Sequence, residues 1–433
     1  MKRVLPQQRL MFKLVCVCIA SLGLTWEGNA DGLRNPPEGA VALGQGGVRL
    51  TEGDDATAIS HNPANLMDLT EMEFTPTVTF GYSQKKFTSA MLGGESKSEE
   101  PWAVLPGIYI AWPLESDYAW GLGITTPYGQ STVWDKSSLV SQFSPYESSM
   151  QTLNINPTFA AKIGKSLYVG VGLDVMDSSL SMNQLYPLSK LTGGAINSSA
   201  DLGFEGSGVG IGGNAGVTWT MTEKQRIALV YRSPISVEYE GDFTIDAGKA
   251  GAGAASALPP SVSPQSDFET DIEFPATVAL GYGLKITDVL RVEANVEWIE
   301  HSTYDQLTLD VGRNNSLLTQ ALGSNKIRQN WDDTWTWGLG LDWDVAPNWI
   351  VRSGWTYLPT PVPSETLTPY QAEGDTHILA AGLGYTVKNH KIDLAYAYSL
   401  MEDRTIANNQ NPYYNGTYEF EAHLLSVSYS CSF

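Results

Sequence analysis

The chain has 433 residues, with 47 acidic and 26 basic side chains and a formal net charge of −21. That acidic balance argues against a nucleic-acid partner. Cys16 and Cys18 lie in the N-terminal apolar run, so Cys431 remains without an internal disulfide partner and a thiolate-rich zinc site is excluded.

Residues 1–30 read as a secretory signal. Lys2, Arg3, Arg9 and Lys13 supply the positive n-region, and Leu14 to Leu24 is an apolar run too short to span a bilayer as a helix. Gly28 and Ala30 suit cleavage before Asp31. Neither early cysteine follows a small residue as a lipoprotein signal requires, so no lipid anchor is expected. No later stretch reaches the roughly 20 apolar residues of a spanning helix. The protein is expected to be exported.

Residues 31–71 form a distinct N-terminal segment, rich in Gly, Asp, Asn and Ala and without strict alternation. At its centre are Asn62, Pro63 and Ala64, preceded by His61. Pro63 removes a backbone donor and biases Asn62 away from the helical region. The Asn62 amide can bond to backbone groups nearby. Taken alone, the stretch reads as a capped turn before a sheet.

From about residue 72 the sequence becomes a train of alternating segments. In DTWTWGLGLDWDV, Trp335, Trp337, Leu339, Leu341 and Trp343 share one face, and small or acidic residues take the other. Trp near both ends of a ten-residue apolar band fits two membrane interfaces. The same alternation recurs from Leu167 to Val175, from Leu290 to Trp298, from Leu379 to Val387 and around Ile227, Leu229 and Tyr231. Charges fall on the non-apolar face each time. A Lys or Arg facing mid-bilayer would cost roughly 2–4 kcal/mol, so lipid exposure demands this sorting.

Short connections at 114–117, 163–166, 221–224, 284–288, 344–348 and 387–390 alternate with long ones. The expectation is an all-β transmembrane antiparallel barrel of about 14 strands over residues 72–433. Residues 247–264 are low in complexity and are expected to lie in a loop rather than a linker. The last strand ends on Phe433, with Leu425, Val427, Tyr429 and Cys431 on the same face. This is the assembly signature of outer-membrane barrels, which points to the barrel-assembly machinery as a partner. A closed barrel leaves no strand edge unpaired in lipid.

Sites of chemistry are not expected. Gly208, Gly210 and Gly213 match GxGxxG, but a strand continues where a nucleotide site needs a helix. The five histidines show no HxxxH or HxH spacing. Ser302 beside His301 is the nearest approach to a catalytic pair, and adjacent strand residues face opposite ways. The acidic loop residues Glu95, Glu99 and Glu100 read as solvated surface. No enzyme activity, cofactor or metal is therefore expected.

ALGQGG followed by DDAT and HNPANL, WGLGITTPYG, GNAGVTW, ALVYRSP, the PVP of TPVPSE and the terminal Phe433 form an ordered set. On these residues the chain resembles the outer-membrane long-chain fatty acid transporter family (FadL type), which includes aromatic-hydrocarbon channels. The resemblance implies a fourteen-stranded barrel whose lumen is closed by an N-terminal hatch. It places the hatch tripeptide on Asn62, Pro63 and Ala64. It places the kink that opens the third strand sideways on Gly129, here preceded by Pro127 and Tyr128. His61 stands where a family member carries a basic Arg. The implied function is passive uptake of fatty acids or similar hydrophobic molecules, by a monomer set in outer-membrane lipid and lipopolysaccharide. Uptake of aromatic or alkane hydrocarbons is the alternative. A general aqueous porin is opposed by the plug-like segment, and in an adhesin the long loops would carry the function.

Overall fold

The computed structural model describes residues 32–99, 101–114, 117–191, 193–194, 196–246, 263–312 and 325–433. The expected signal at 1–30, and nearly all of the low-complexity stretch, lie outside the described residues.

The alternation read from the sequence forms one closed antiparallel sheet. Its first strand, Glu73–Ser89, pairs with the second, Trp102–Leu114, and also with the last, Gly416–Ser432, and so closes the ring. Between them run a third strand in two halves (Tyr118–Thr125 and Gly129–Trp134), a fourth (Glu147–Ile163), a fifth (Leu167–Pro187) and a sixth (Ser199–Thr222). The seventh and eighth are also in halves, Gln225–Arg232 with Ile235–Asp246 and Gln265–Phe274 with Thr277–Thr287. The ninth to thirteenth are Leu290–Ile299, Thr334–Ala346, Trp349–Leu358, Thr376–Val387 and His390–Met401. Each pairs with its sequence neighbour, so fourteen strands complete the barrel among the described residues.

Apart from residues 115–116 of the first, which lie outside the described residues, the short turns lie where the sequence placed them. Asn348 and Lys388 adopt positive φ (76° and 54°) in the two-residue turns before Trp349 and His390. Lys388, first of its two turn residues, gives the positive φ of a turn that matches the right-handed twist of its strands, whereas Asn348 follows Pro347, whose φ is fixed negative, beside a register shift between Asp344 and Ala346.

Orientation follows the lipid rule. Trp335, Trp337 and Leu339 are 55 %, 52 % and 55 % exposed, whereas Thr334 and Thr336 are 5 % exposed. The rule inverts higher up. In Ile235–Asp246 the apolar Ile235, Val237, Tyr239, Phe243 and Ile245 are buried, and Glu238, Glu240 and Asp242 face outward. Phe268, Ile272 and Phe274 are buried in the same way opposite Asp267, Glu269, Asp271 and Glu273. The change falls at Ser233–Pro234 and Pro275–Ala276, between the halves of the seventh and eighth strands. Pro cannot donate to a ladder, so each break lets the two halves take opposite phases. Above it the wall is acidic outside and apolar inside.

On that outer face Glu240 stands directly opposite Glu269, and Glu269 opposite Asp310. Like charges directly opposed weaken a sheet. Glu269→Gln should therefore raise the thermal midpoint at low ionic strength, with the gain shrinking as salt screens the pair. Thermal unfolding at two salt concentrations checks this.

Candidate functional site: the inner segment and the third-strand break

Residues 32–72 do not join the barrel wall. They carry a short helix, Ala40–Gly44, a helical turn, Ala58–His61, and a 3-10 helix, Pro63–Asp68. Asn62 adopts an extended backbone (φ −153°, ψ 106°), as a residue before proline must. Its Oδ1 accepts from the Ala64 amide at 3.1 Å and caps the 3-10 helix. Its Nδ2 donates to the Leu50 carbonyl at 2.7 Å and to Thr218 Oγ1 of the sixth strand at 2.8 Å. Asn62, Pro63 and Ala64 are buried. The Asn62 side chain thus joins two parts of the N-terminal segment to the inner face of the wall.

His61 Nε2 bonds to the Glu38 carbonyl at 2.9 Å. Burial lowers its pKa, against the opposing pull of Glu38, and so favours the neutral imidazole.

Below this point an ionic cluster ties the segment to the wall. Arg49 meets Asp54 at 2.6 Å and Asp342 of the tenth strand at 3.2 Å. Arg352 of the eleventh strand, 1 % exposed, meets Asp393 of the thirteenth at 2.7 Å and Asp342 at 3.2 Å. Arg291 meets Asp342 at 2.6 Å and also pairs with Glu52. Burial alone would raise the Asp54 pKa. The opposing charges of Arg49, Lys391 and Arg352 outweigh it and hold the carboxyl well below the ordinary range. Sequence reasoning missed this cluster. Its only trace was that charged residues of several strands fell on the face away from lipid.

The third strand is interrupted at Thr126–Tyr128. Its ladder with the second strand ends at the Ile108–Ile124 pair. The next contact on that side is Val133 with Glu99, in the short strand Glu95–Glu99. Among the described residues, nothing in Trp102–Gly107 pairs with Thr126–Thr132. The chain turns inward there. Asn35 N donates to the Pro127 carbonyl at 2.9 Å, Gly129 N donates to the Leu33 carbonyl at 2.9 Å, and Arg34 bridges Tyr128. Gly129 is the first residue of the resumed half and pairs with Gln151 of the fourth strand. The break thus occupies the three residues before the glycine, Thr126–Tyr128, where Pro127 has no amide to offer.

A cavity of about 150 Å³ opens beside this break. Arg34, His61, Tyr128, Asn154, Arg232 and Ile235 are among the residues that line it. Tyr128 and Ile235 also belong to the buried apolar cluster that fills the upper barrel. Tyr128 packs on Phe274 with ring centroids 4.6 Å apart. The His301–Ser302 pair forms no site. His301 is buried against Trp331, and burial, reinforced by Arg34, holds its imidazole down at about 4.

Comparison with known proteins agrees with this architecture. The long-chain fatty acid transport protein of Escherichia coli K12 is 20 % identical over 404 residues, covering 87 % of each chain. A putative outer membrane protein of Neisseria meningitidis serogroup B is 21 % identical over 418 residues, again covering 87 % of each. A solved structure of a Pseudomonas aeruginosa FadL homologue superposes with a TM-score of 0.81 at 20 % identity, covering 93 % of this chain and 100 % of that one. The toluene transporter TbuX of Ralstonia pickettii gives 0.70 at 18 % identity, covering 92 % and 99 %. Residues 41–433 match the outer membrane protein transport protein family (OMPP1/FadL/TodX), and the chain belongs to this family of outer-membrane transport proteins, which are channels rather than enzymes.

Proposed function

We propose that this protein takes up long-chain fatty acids or similar hydrophobic molecules passively. Residues 31–71 act as the hatch, with His61, Asn62, Pro63 and Ala64 at its core. Cargo leaves sideways into the outer leaflet past Pro127, Tyr128 and Gly129. The observation that carries the reading is the unpaired stretch between the second and third strands, set beside an inner cavity that joins an apolar cluster.

Energetics favour a side exit for such cargo. At roughly 0.8 kcal/mol per buried methylene, a chain of about sixteen carbons would lose about 10 kcal/mol or more on entering water. A path through the wall keeps the tail in apolar surroundings. The buried ionic cluster obstructs the axial route with charged groups. Relatives point to two cargo classes: one is named for long-chain fatty acids, and a structural neighbour is a toluene transporter. The second class finds support in the cavity, since about 150 Å³ is the size of space that holds a benzene ring.

The test uses Gly129→Val and Asn62→Ala. A Cβ at Gly129 would already lie 3.0 Å from the Asn35 side-chain amide, so a valine presses on the Asn35 side chain. Uptake of labelled oleate by cells should fall towards the level of cells lacking the protein, at equal surface amounts. Normal uptake by both variants would remove the hatch and exit assignments. Purified protein in planar bilayers should show little salt conductance, whereas porin-like conductance would favour the aqueous-pore reading. Toluene uptake exceeding oleate uptake would move the cargo to the hydrocarbon class.

A further inference from the structure

We propose that Thr152 is the positioning residue of the side opening, and that its hydroxyl holds the third-strand break inward, away from the second strand. This rests on the side-exit reading above, in which cargo passes between those two strands. Thr152 belongs to the fourth strand, and its side chain is buried.

The register shows why a side chain is needed there. The third and fourth strands pair at Thr125 with Asn154 and again at Gly129 with Gln151. Thr126, Pro127 and Tyr128 therefore stand opposite only Thr152 and Leu153. An extra residue on one strand makes a bulge, which bends that strand and takes backbone groups off the ladder. Within a membrane wall such groups must find partners inside the protein.

Two elements supply those partners. The N-terminal segment serves Thr126, Pro127 and Gly129. Asn35 Nδ2 donates to the Thr126 carbonyl at 2.7 Å, Asn35 N donates to the Pro127 carbonyl at 2.9 Å, and Gly129 N donates to the Leu33 carbonyl at 2.9 Å. Tyr128 is held from the wall instead. Its amide donates to Thr152 Oγ1 at 3.1 Å, and the same hydroxyl donates to the Tyr128 carbonyl at 2.5 Å. A hydroxyl can do both because it carries a donor and acceptor lone pairs. It thus answers both backbone groups of a residue whose side chain lines the cavity. Valine has the shape of threonine without this capacity. With the hydroxyl gone, the strand edge left unpaired on that side is Trp102–Gly107 of the second strand, across the opening. Two buried backbone groups without partners are enough to shift the balance towards a strand aligned with the wall by about ten-fold or more.

Uptake of labelled oleate over a range of concentrations, at equal surface amounts, tests this together with hydrogen exchange of the purified protein. Thr152→Val should lower the maximal uptake rate several-fold and leave the half-saturating concentration unchanged, because capture precedes the exit. Exchange in the peptide Thr126–Trp134 should quicken about ten-fold as the Tyr128 amide loses its fixed acceptor. Thr152→Ser keeps the hydroxyl and should restore both readings. Thr152→Ala should behave as the valine does, and it supplies the same comparison where the valine fails to reach the surface. Wild-type exchange in both Thr152→Val and Thr152→Ala, or a Thr152→Ser variant as impaired as the valine, overturns the role of the hydroxyl and leaves the side exit standing. Faster exchange with an unchanged maximal rate shows that the hydroxyl holds the break while cargo passes elsewhere, which overturns the side exit and the positioning role together.

Discussion

Replacing Arg352 with Met is expected to destabilise the barrel by about 3–5 kcal/mol, the range found when one partner of a buried ion pair is removed. Arg352 is 1 % exposed and holds Asp393 at 2.7 Å and Asp342 at 3.2 Å. Both carboxylates are themselves buried, so neither can turn to water when the guanidinium leaves. Lys391 lies 3.5 Å from Asp393, and Arg291 and Arg49 lie 2.6 Å and 3.2 Å from Asp342. These three cations soften the loss without replacing the fork that joins the eleventh strand to its neighbours. A lower urea midpoint, followed by the gel shift of the folded barrel, is the measurement. Adding Asp393→Leu to the variant should recover part of the loss, because it removes the orphaned charge. The same cluster anchors residues 49–54 to the wall, so the single variant should also raise ion leakage in planar bilayers.

Acid should act on this cluster in the same direction. The Asp54 carboxyl titrates well below its ordinary range in the folded protein. Its stabilising contribution is therefore complete above the unfolded value of about 4 and is lost as pH falls through the folded one. The urea midpoint should decline across that acidic window, and Asp54→Asn should flatten this decline.

The second large effect is expected from Gly216→Val. Gly216 lies on the inner face of the sixth strand, where a Cβ would run into Asn62 Oδ1 and approach Pro63 Cδ to 3.0 Å. Asn62 has no exposed surface to give up. Two consequences follow. The overpacked site should cost about 1–3 kcal/mol, and the bonds from Asn62 to Leu50 and Thr218 should stretch or break. Because the outward face of the strand is untouched, the barrel should still reach the membrane. The expected result is near-normal surface protein with reduced oleate uptake and faster proteolytic nicking between residues 50 and 64. Wild-type uptake and protease resistance in Gly216→Val would show that Asn62 need not hold its position. Gly216→Ala should lie between the two.

Much of the wall was legible because lipid imposes a local rule. Trp335, Trp337 and Leu339 had to face outward whatever the rest of the chain did, and their alternation with Thr and Gly shows it within a few residues. Two-residue turns were equally local: Pro347–Asn348 and Lys388–Asn389 mark their own reversals. The inverted phase above Ser233–Pro234 was written in Ile235–Asp246 as plainly as the lower pattern, as apolar residues alternating with Glu and Asp. Alternation alone does not say which face is wet, so that stretch could be assigned only once burial of Val237, Tyr239 and Phe243 was seen.

The interior was not legible in the same way. Pro127 and Gly129 announced that pairing would weaken, since one has no amide and the other no side chain. Which partner took over was beyond the sequence. Leu33–Asn35 meets Pro127–Gly129 across more than ninety residues, and that contact exists only after the wall has closed around the N-terminal segment. The same holds for Arg49 and Asp342, and for Asn62 and Thr218.

By itself, then, the sequence determined an acidic chain built for lipid contact, its alternating strands, their tight turns and the weak point in the third strand, because each follows from residues within one strand or turn. The tertiary structure alone decided the ionic cluster, the inward bridge at Tyr128 and the hold of the Thr152 hydroxyl on that residue's backbone. Those depend on the register at which fourteen strands close, which brings together side chains that no local pattern connects.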